Sequence, residues 1–370
     1  MPSSVIVLVP TKNGEARIGA TIESLEQQTV VPARIIVICD NCTDNTEKVV
    51  GDYQRKYDNI SLLVTQNNHH KKAGALNQAF RALMEEPPAM WRYAVMMDDD
   101  TVLDPGLIAA GLGTLADNEN VGAVCSRAGV IFPKEKLTVF QKFLWHMQHI
   151  EYGLFFDSSR IQTLEHIKVV HGMAAMYSRA ALEAVVAFRE ATWGVCAQVY
   201  CEGNITEDYE LTITTRRAGF KVTMNPEMKA WTDVPLSFKK LWRQRIRWLL
   251  GGIDALCRHG MNNITYKEYF QHSLFIVFFA FTLYVLQWLV ANAVGGGDWS
   301  WHPITFLIFG VIYFDQLYRA KYIQDRSLLE SLLVVLFVPF ALYHMLYQLE
   351  QLVAYMMFVK ARILGEDVAW

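Results

Sequence analysis

The chain has 370 residues, a net charge of −3 and 52% hydrophobic residues. That length makes one large or two modest domains. A pI near 6.4 excludes the global basic field of a nucleic-acid-binding surface, so no nucleic acid is expected as a partner. Mean hydropathy is +0.14, high for a soluble enzyme, and the excess is uneven. Up to about Gly260 charged and apolar residues mix; from Tyr269 onward long apolar stretches dominate.

Ser4 to Val9 reads as a strand. It is too short for the h-region of a signal peptide, lacks a basic n-region and runs into Pro10-Thr11-Lys12-Asn13. The first part of the chain is therefore expected in the cytosol, with its six cysteines reduced. Cys39 and Cys42 form a lone CxxC with no second pair nearby, which argues against zinc and against a redox role. Glu15 to Gln28 reads as a helix with Ile18, Ile22 and Leu25 on one face. Arg34 to Cys39 is a second strand, and Thr43 or Asp44 is placed to cap the helix that runs to about Tyr57. Ile60 to Thr65 is a third strand; a polar loop, His69 to Gly74, then leads into a helix from about Ala75. Strand and helix alternate evenly, the pattern of a doubly wound parallel sheet.

The apolar run Tyr93 to Met97 reads as a buried strand, and Asp98, Asp99 and Asp100 follow at its carboxyl end, where open α/β sheets bind ligands. Three adjacent acids repel one another unless a cation or donor groups share the load. Strand alternation would point Asp98 and Asp100 the same way, able to hold one divalent ion that suits a diphosphate. The competing reading is a solvated acidic turn.

Asp104 to Ala116 reads as a helix and Val121 to Cys125 as a strand. Leu137 to Phe156 puts Phe140, Phe143, Leu144, Met147, Ile150 and Leu154 on one face and Gln141, Lys142, His146 and His149 across from them. It is expected to lie on a membrane surface, with a core helix as the alternative. Val169 to Tyr177 passes through His171-Gly172 into a short strand, and Ser178 opens a helix. A loop rich in Cys, Trp and Gly leads to Thr206-Glu207-Asp208, a second acidic cluster at a helix start. One such acid suffices as a general base; helix capping and dipole compensation explain the cluster equally well.

From Leu236 to Leu250, Lys239, Lys240, Arg243, Arg245 and Arg247 interleave with Trp242 and Trp248. On a helix Gln244, Arg247 and Trp248 share a face: an arginine for diphosphate oxygens and an indole for a sugar ring. A basic amphipathic helix against anionic lipid is the alternative. Ser273 to Val294 is long enough to cross a bilayer. Gly295 to Asp298 reads as a turn, with Trp299 and Trp301 as an aromatic belt, and Pro303 to Tyr318 as a second apolar run. Arg319, Lys321 and Arg326 mark a cytosolic loop, and Leu328 to Val359 is apolar but interrupted by Pro339.

These residues together resemble the family 2 glycosyltransferases, in particular the membrane-embedded branch with cellulose, hyaluronan and chitin-type synthases. Pro10 to Glu15 looks like the Pro-x-Tyr-Asn-Glu opening. Cys39 to Thr46 looks like the segment that holds uracil and ribose, with Cys39 replacing its first acid and Asp40 keeping the second. Lys72 to Asn77 matches the Lys-Ala-Gly-Ala-Leu-Asn donor signature, Asp98-Asp99-Asp100 the Asp-x-Asp motif, Thr206-Glu207-Asp208 the Thr-Glu-Asp motif, and Gln244 to Trp248 the Gln-x-x-Arg-Trp motif. Gln148 with Glu151-Tyr152 resembles the synthases' interfacial helix.

The resemblance implies a GT-A (Rossmann-like) α/β domain, a UDP-sugar donor, Mg²⁺ or Mn²⁺, and inversion at the anomeric carbon. It implies donor contacts from Pro10, Thr11, Asn13, Glu15, Asp40, Lys72, Asp98, Asp99, Asp100, Gln244 and Arg245, with Asp98 and Asp100 on the metal. Asp208 would be the base with Glu207 beside it, and Arg247 would stabilise the departing diphosphate. Gly172, Glu207 and Trp248 would meet the acceptor, a glycan, a lipid-linked sugar or another hydroxyl compound. The expected organisation is a cytosolic catalytic domain over 1–235 including the interfacial helix 137–156, an amphipathic region over 236–268, and membrane helices at about 273–294, 303–319 and 328–359. Three helices are few for a polysaccharide channel, so secretion through a pore is expected only if subunits assemble a homo-oligomer. The rival readings are a polyprenyl-phosphate glycosyltransferase and a non-catalytic membrane protein that binds sugar nucleotides.

Overall fold

The structure is a computed structural model that describes residues 4–162, 167–196, 198–295, 303–323, 326–336 and 338–366. The chain divides into two compact units, Met1–Lys136 with Ser158–Val234, and Leu137–Asp157 with Pro235–Trp370.

In the first unit the order is β1 (Val5–Thr11), α1 (Ile18–Glu26), β2 (Arg34–Cys39), α2 (Thr46–Gln54), β3 (Ile60–Val64), α3 (Lys71–Glu85), β4 (Tyr93–Met97), β5 (Thr101–Leu103), α4 (Leu107–Ala116) and β6 (Val121–Val130). Helix α5 (Val139–Gln162), which belongs to the second unit as far as Asp157, follows in the chain; the first unit then continues with β7 (Ala174–Ser178), α6 (Arg179–Trp193), α7 (Glu207–Arg217) and β8 (Lys221–Thr232). One eight-stranded sheet runs β3-β2-β1-β4-β7-β6-β8-β5. All seven residues of β1 are buried, as a continuous apolar run in a central strand requires.

The sheet is mixed rather than wholly parallel. β1 to β4 are parallel neighbours, but β7 lies antiparallel to both β4 and β6, and β5 antiparallel to β8. A buried strand is the same apolar run whichever way it points, so alternation of elements could not reveal this reversal. β5 and β8 were also not anticipated: β5 has three residues, and β8 carries Pro226 and charged side chains that break the apolar pattern. Helix α3 begins at Lys71, not near Ala75. Lys71 takes a positive φ of 52°, which turns the chain into the helix and puts Lys72 on its first turn. Ala73, Leu76, Ala79, Phe80 and Leu83 then form its buried stripe.

The second unit is helical: α8 (Phe238–His259), α9 (Tyr266–Gly295), α10 (Pro303–Arg319), a 3₁₀ turn at Ala320–Tyr322, α11 (Leu328–Val335) and α12 (Val338–Leu364). The apolar stripe of α5 packs inside this unit. Met147 and Ile150 are fully buried in a cluster with Ala320, Ile323, Leu333 and Val334, and Phe143 and Leu154 pack against it. Across from it, His146 and His149 each bond Glu330 of α11 through Nδ1, at 2.9 and 2.7 Å. Pro339 falls in the first turn of α12, where its missing N–H costs nothing, so the apolar stretch 328–359 is two helices. Among the described residues only α9 is long and apolar enough to cross a membrane, with a mean hydropathy of 2.3 and none of that window buried. Gly296 to Asp298, Trp299 and Trp301 lie outside the described residues.

Candidate active site

The first unit gathers its chemistry at the carboxyl end of β4. Asp98, Asp99 and Asp100 occupy a turn between β4 and β5, so strand alternation does not govern them. Each has a different partner. Asp98 accepts from the Lys72 ammonium at 2.5 Å. Asp99 accepts from the Thr11 hydroxyl at 2.5 Å and from Arg17 at 3.1 Å, and its carbonyl accepts from Thr21 at 2.8 Å. Asp100 accepts from Thr232 at 3.1 Å. Asp99 and Thr11 thus bond each other and hold the turn to β1, where donor contacts were expected of both. Burial, with the charges of Asp98 and Asp99, pushes the Asp100 carboxyl up to about 6.

Lys72 bridges the two acidic motifs. Its ammonium also lies 3.2 Å from Glu207 Oε1, on the first turn of α7. Burial works against this charge, yet Asp98, Glu207 and Asp208 raise its pKa well above the ordinary lysine value. The Thr206 side chain does not cap α7: its hydroxyl donates instead to Asn204 at 2.9 Å. Asp208 Oδ2 accepts from the Gly172 amide at 3.0 Å, and Oδ1 from the Tyr209 amide at 2.7 Å. Burial raises the Asp208 carboxyl to about 6, helped by the charge of Glu207 and opposed by Lys72. Gly172 sits among these groups. A Cβ there would come within 2.7 Å of Lys72 Nζ, 3.7 Å of Asp208 Oδ2 and 3.9 Å of Asp98 Oδ1. The space belongs to a residue without a side chain. Next to it His171 bonds the Ser126 carbonyl through Nε2 at 2.9 Å, and burial pushes its imidazole down to about 4, so it is neutral at pH 7.

The loops after β1 and β2 form a polar lattice. Asn13, at a φ of 55°, accepts from the Thr43 amide at 2.8 Å. Glu15 accepts from the Asn45 amide and side chain, both at 3.1 Å. Asp44 accepts from the Thr46 amide at 3.0 Å, but the N-cap of α2 is Asn45, not Thr43 or Asp44, and its side chain makes no capping bond. Pro10 is buried in β1, one residue before Thr11. Asp40 uses Oδ1 for Thr65, Asn68 and Asn41, at 2.9, 2.7 and 3.0 Å. Thr65, Asn68, Arg17, Thr232 and His171 were not anticipated in these roles. They reach the site over long sequence separations, and no local pattern marks them.

In the second unit, α8 carries Gln244, Arg247 and Trp248 part-exposed to exposed, whereas Arg245 is buried. Arg245 donates to Glu151 at 2.6 Å and stands over the Trp248 ring at 4.5 Å. Arg245, of which a donor contact is expected, is paired in the structure with Glu151.

The family described as "Glycosyltransferase like family 2" matches residues 2–251. The chain belongs to glycosyltransferase family 2. This glycosyltransferase is 24% identical over 307 residues to a poly-beta-1,6-N-acetyl-D-glucosamine synthase of Staphylococcus epidermidis, covering 82% of this chain and 64% of that one. It is 24% identical over 267 residues to the enzyme of that name from Staphylococcus aureus strain COL, covering 72% and 58%. The chain thus spans less than two thirds of the length of these relatives. Among solved structures it is similar to the mannosyltransferase PcManGT from Pyrobaculum calidifontis in complex with GDP-Man and Mn2+. The TM-score is 0.60 at 16% identity, over 97% of this chain and 89% of that one. The family 2 chain therefore has the expected GT-A fold in its mixed-sheet unit, followed by a helical region.

Proposed function

We propose that this glycosyltransferase is membrane-anchored and inverting, and moves a sugar from a UDP-sugar to a hydroxyl of a saccharide acceptor, extending a β-linked glycan at the cytosolic face. The observation that carries the reading is Asp208: a half-buried carboxylate held by the Gly172 amide and lifted to about 6. A base poised near neutrality and fixed in direction is what deprotonation of an alcohol needs.

In the proposed step Asp208 takes the proton from the acceptor hydroxyl while that oxygen bonds to the anomeric carbon. The bond from that carbon to the diphosphate oxygen breaks, and its electron pair leaves with the diphosphate. Lys72 holds Asp98 and Glu207 in place and offsets part of the charge around the base. Arg247 and Trp248 take the leaving-group and acceptor roles on the strength of their motif match. Asp40 is assigned to the base of the nucleotide, since only Oδ1 is used by Thr65, Asn68 and Asn41.

Among the described residues no three ligating side chains surround one point. The Asp98 and Asp100 pair nevertheless fits Mg²⁺ or Mn²⁺, which take one or two carboxylates and complete their shell with phosphate oxygens and water. Burial and the charges of Asp98 and Asp99 raise the Asp100 carboxyl. A bound cation there would neutralise diphosphate oxygens.

The name of the relatives makes N-acetylglucosamine the first sugar to test, and α9 supports the membrane anchor. The deciding experiment incubates purified protein in detergent with a panel of nucleotide sugars and measures nucleotide release and product. Release from a UDP-sugar with growth of a saccharide is expected. Sugar recovered solely on polyprenyl phosphate, or release from GDP-sugars alone, would overturn the reading.

A further inference from the structure

In the helical unit a single carboxylate oxygen ties three helices together. Glu151 Oε2, on α5, accepts from Arg245 of α8 at 2.6 Å and from the Tyr343 hydroxyl of α12 at 2.8 Å. The backbone presenting Glu151 is itself anchored. One turn earlier Gln148 Nε2 donates to the Leu144 carbonyl at 3.1 Å and to the Pro235 carbonyl, on the chain leading into α8, at 2.8 Å. Arg245 is 4% exposed, so its charge depends on Glu151. Burial opposes the guanidinium charge, and the Glu151 carboxylate raises its pKa despite that.

Trp248 lies three residues further along α8 and is 37% exposed. A tryptophan with that much freedom on a helix surface has several rotamers open to it. Here one face of the indole is covered by the Arg245 guanidinium, 4.5 Å from the ring centroid. A cation stacked on a ring restricts its plane, and the planar guanidinium does so better than an ammonium. The position of that cation is set by Glu151, which is in turn shared with Tyr343.

We infer that Glu151, Arg245 and Tyr343 form a positioning relay that holds the Trp248 indole in the orientation the acceptor sugar uses, so that α12 acts on acceptor binding through one hydroxyl. None of the three touches substrate. The inference rests on the acceptor role proposed for Trp248, and adds the residues that make that role geometrically definite. It also gives Arg245, an intervening residue of the Gln-x-x-Arg-Trp motif, a task distinct from that of Arg247.

The test uses the full chain in detergent, labelled with 5-fluorotryptophan, with the Trp248 fluorine resonance assigned by its loss in Trp248→Phe. Tyr343→Phe removes one oxygen and keeps the ring packed; Glu151→Gln keeps the side-chain shape. Both are expected to shift or broaden the Trp248 resonance, and Arg245→Lys is expected to do the same because it loses the planar stack. In UDP-release assays with UDP-N-acetylglucosamine and a short β-1,6-linked N-acetylglucosamine oligosaccharide, Tyr343→Phe should raise the KM for the oligosaccharide about fivefold, the scale of one hydrogen bond. The KM for the nucleotide sugar should stay the same. A purely structural role would lower melting temperature and kcat and leave that split absent. An unchanged Trp248 resonance in both Tyr343→Phe and Glu151→Gln overturns the relay. A shifted resonance with an unchanged oligosaccharide KM leaves the relay in place and removes Trp248 from the acceptor site.

Discussion

At the residue scale the site is an arrangement of one lysine among three carboxylates, Asp98, Glu207 and Asp208. Asp208 differs from the rest in having both oxygens on backbone amides, which fixes its direction without neutralising it. Asp208→Asn keeps the shape and removes the basicity, so nucleotide binding should persist. Transfer should fall by about 10²–10⁴-fold, the usual worth of a general base. Transfer near the wild-type rate would remove Asp208 from that role. The sign of the pH dependence follows from the same group. Its carboxyl is lifted to about 6, first by burial and then by Glu207, so below that pH it is protonated and cannot accept a proton. Activity should rise with pH through about 6 and level off above it. Glu207→Gln removes a like charge and should move this acid limb to lower pH; a limb that stays put or moves up would contradict the coupling. Gly172→Ala tests the crowding: the new methyl meets Lys72 Nζ, the movable end of its side chain, so the fold should survive while the Lys72–Asp98 contact and activity are lost.

At the scale of elements, α7 can present Asp208 because it is anchored from behind. Arg189 of α6 donates to both oxygens of Glu210, at 3.1 and 2.5 Å, and both side chains are almost fully buried. Such a pair adds modest stability over an apolar one, but removing one partner strands a buried charge. Arg189→Ala should therefore destabilise the first unit by about 3–5 kcal/mol, read as a lowered midpoint in thermal or denaturant unfolding. A melting temperature unchanged from wild type would show that water reaches Glu210. Asn77 of α3 makes a comparable anchor. It accepts from the Val199 and Tyr200 amides at 3.1 and 2.9 Å and donates to the Tyr200 carbonyl at 2.9 Å, tying the loop before α7 to the helix that carries Lys72. Two motifs far apart in sequence, one with Lys72 and one with Asp208, are stapled by residues that are not themselves chemical.

On the scale of the whole molecule two dependences are expected. Chelation by EDTA should abolish transfer and added Mg²⁺ or Mn²⁺ should restore it, because burial and the charges of Asp98 and Asp99 raise the Asp100 carboxyl and a bound cation would relieve that; full turnover in EDTA would refute the metal role. Helix α9, which carries an unburied apolar window long enough to cross a bilayer, should keep the chain in the membrane pellet through an alkaline carbonate wash. Release by that wash would show a peripheral attachment.

What could be read from the sequence alone was whatever is local. β1 to β4 announced themselves as apolar runs, and the acidic and Gln-x-x-Arg-Trp segments as short strings of unusual residues, which was enough for the family and the fold class. The α3 start near Ala75 was misplaced, because the positive φ of Lys71 that opens the helix leaves no mark in composition. The apolar stripe of α5 was legible as a stripe but not as to its partner, since hydrophobic surface is driven equally toward lipid and toward Ile323 and Leu333. Only the tertiary structure decided the direction of β7, the insertion of Lys72 between Asp98 and Glu207, and the pairing of Arg245 with Glu151. Each is a contact between distant parts of the chain, set by three-dimensional packing and by the need of buried charges for partners. Residue order along the backbone records that a charge is present, and folding alone determines what neutralises it.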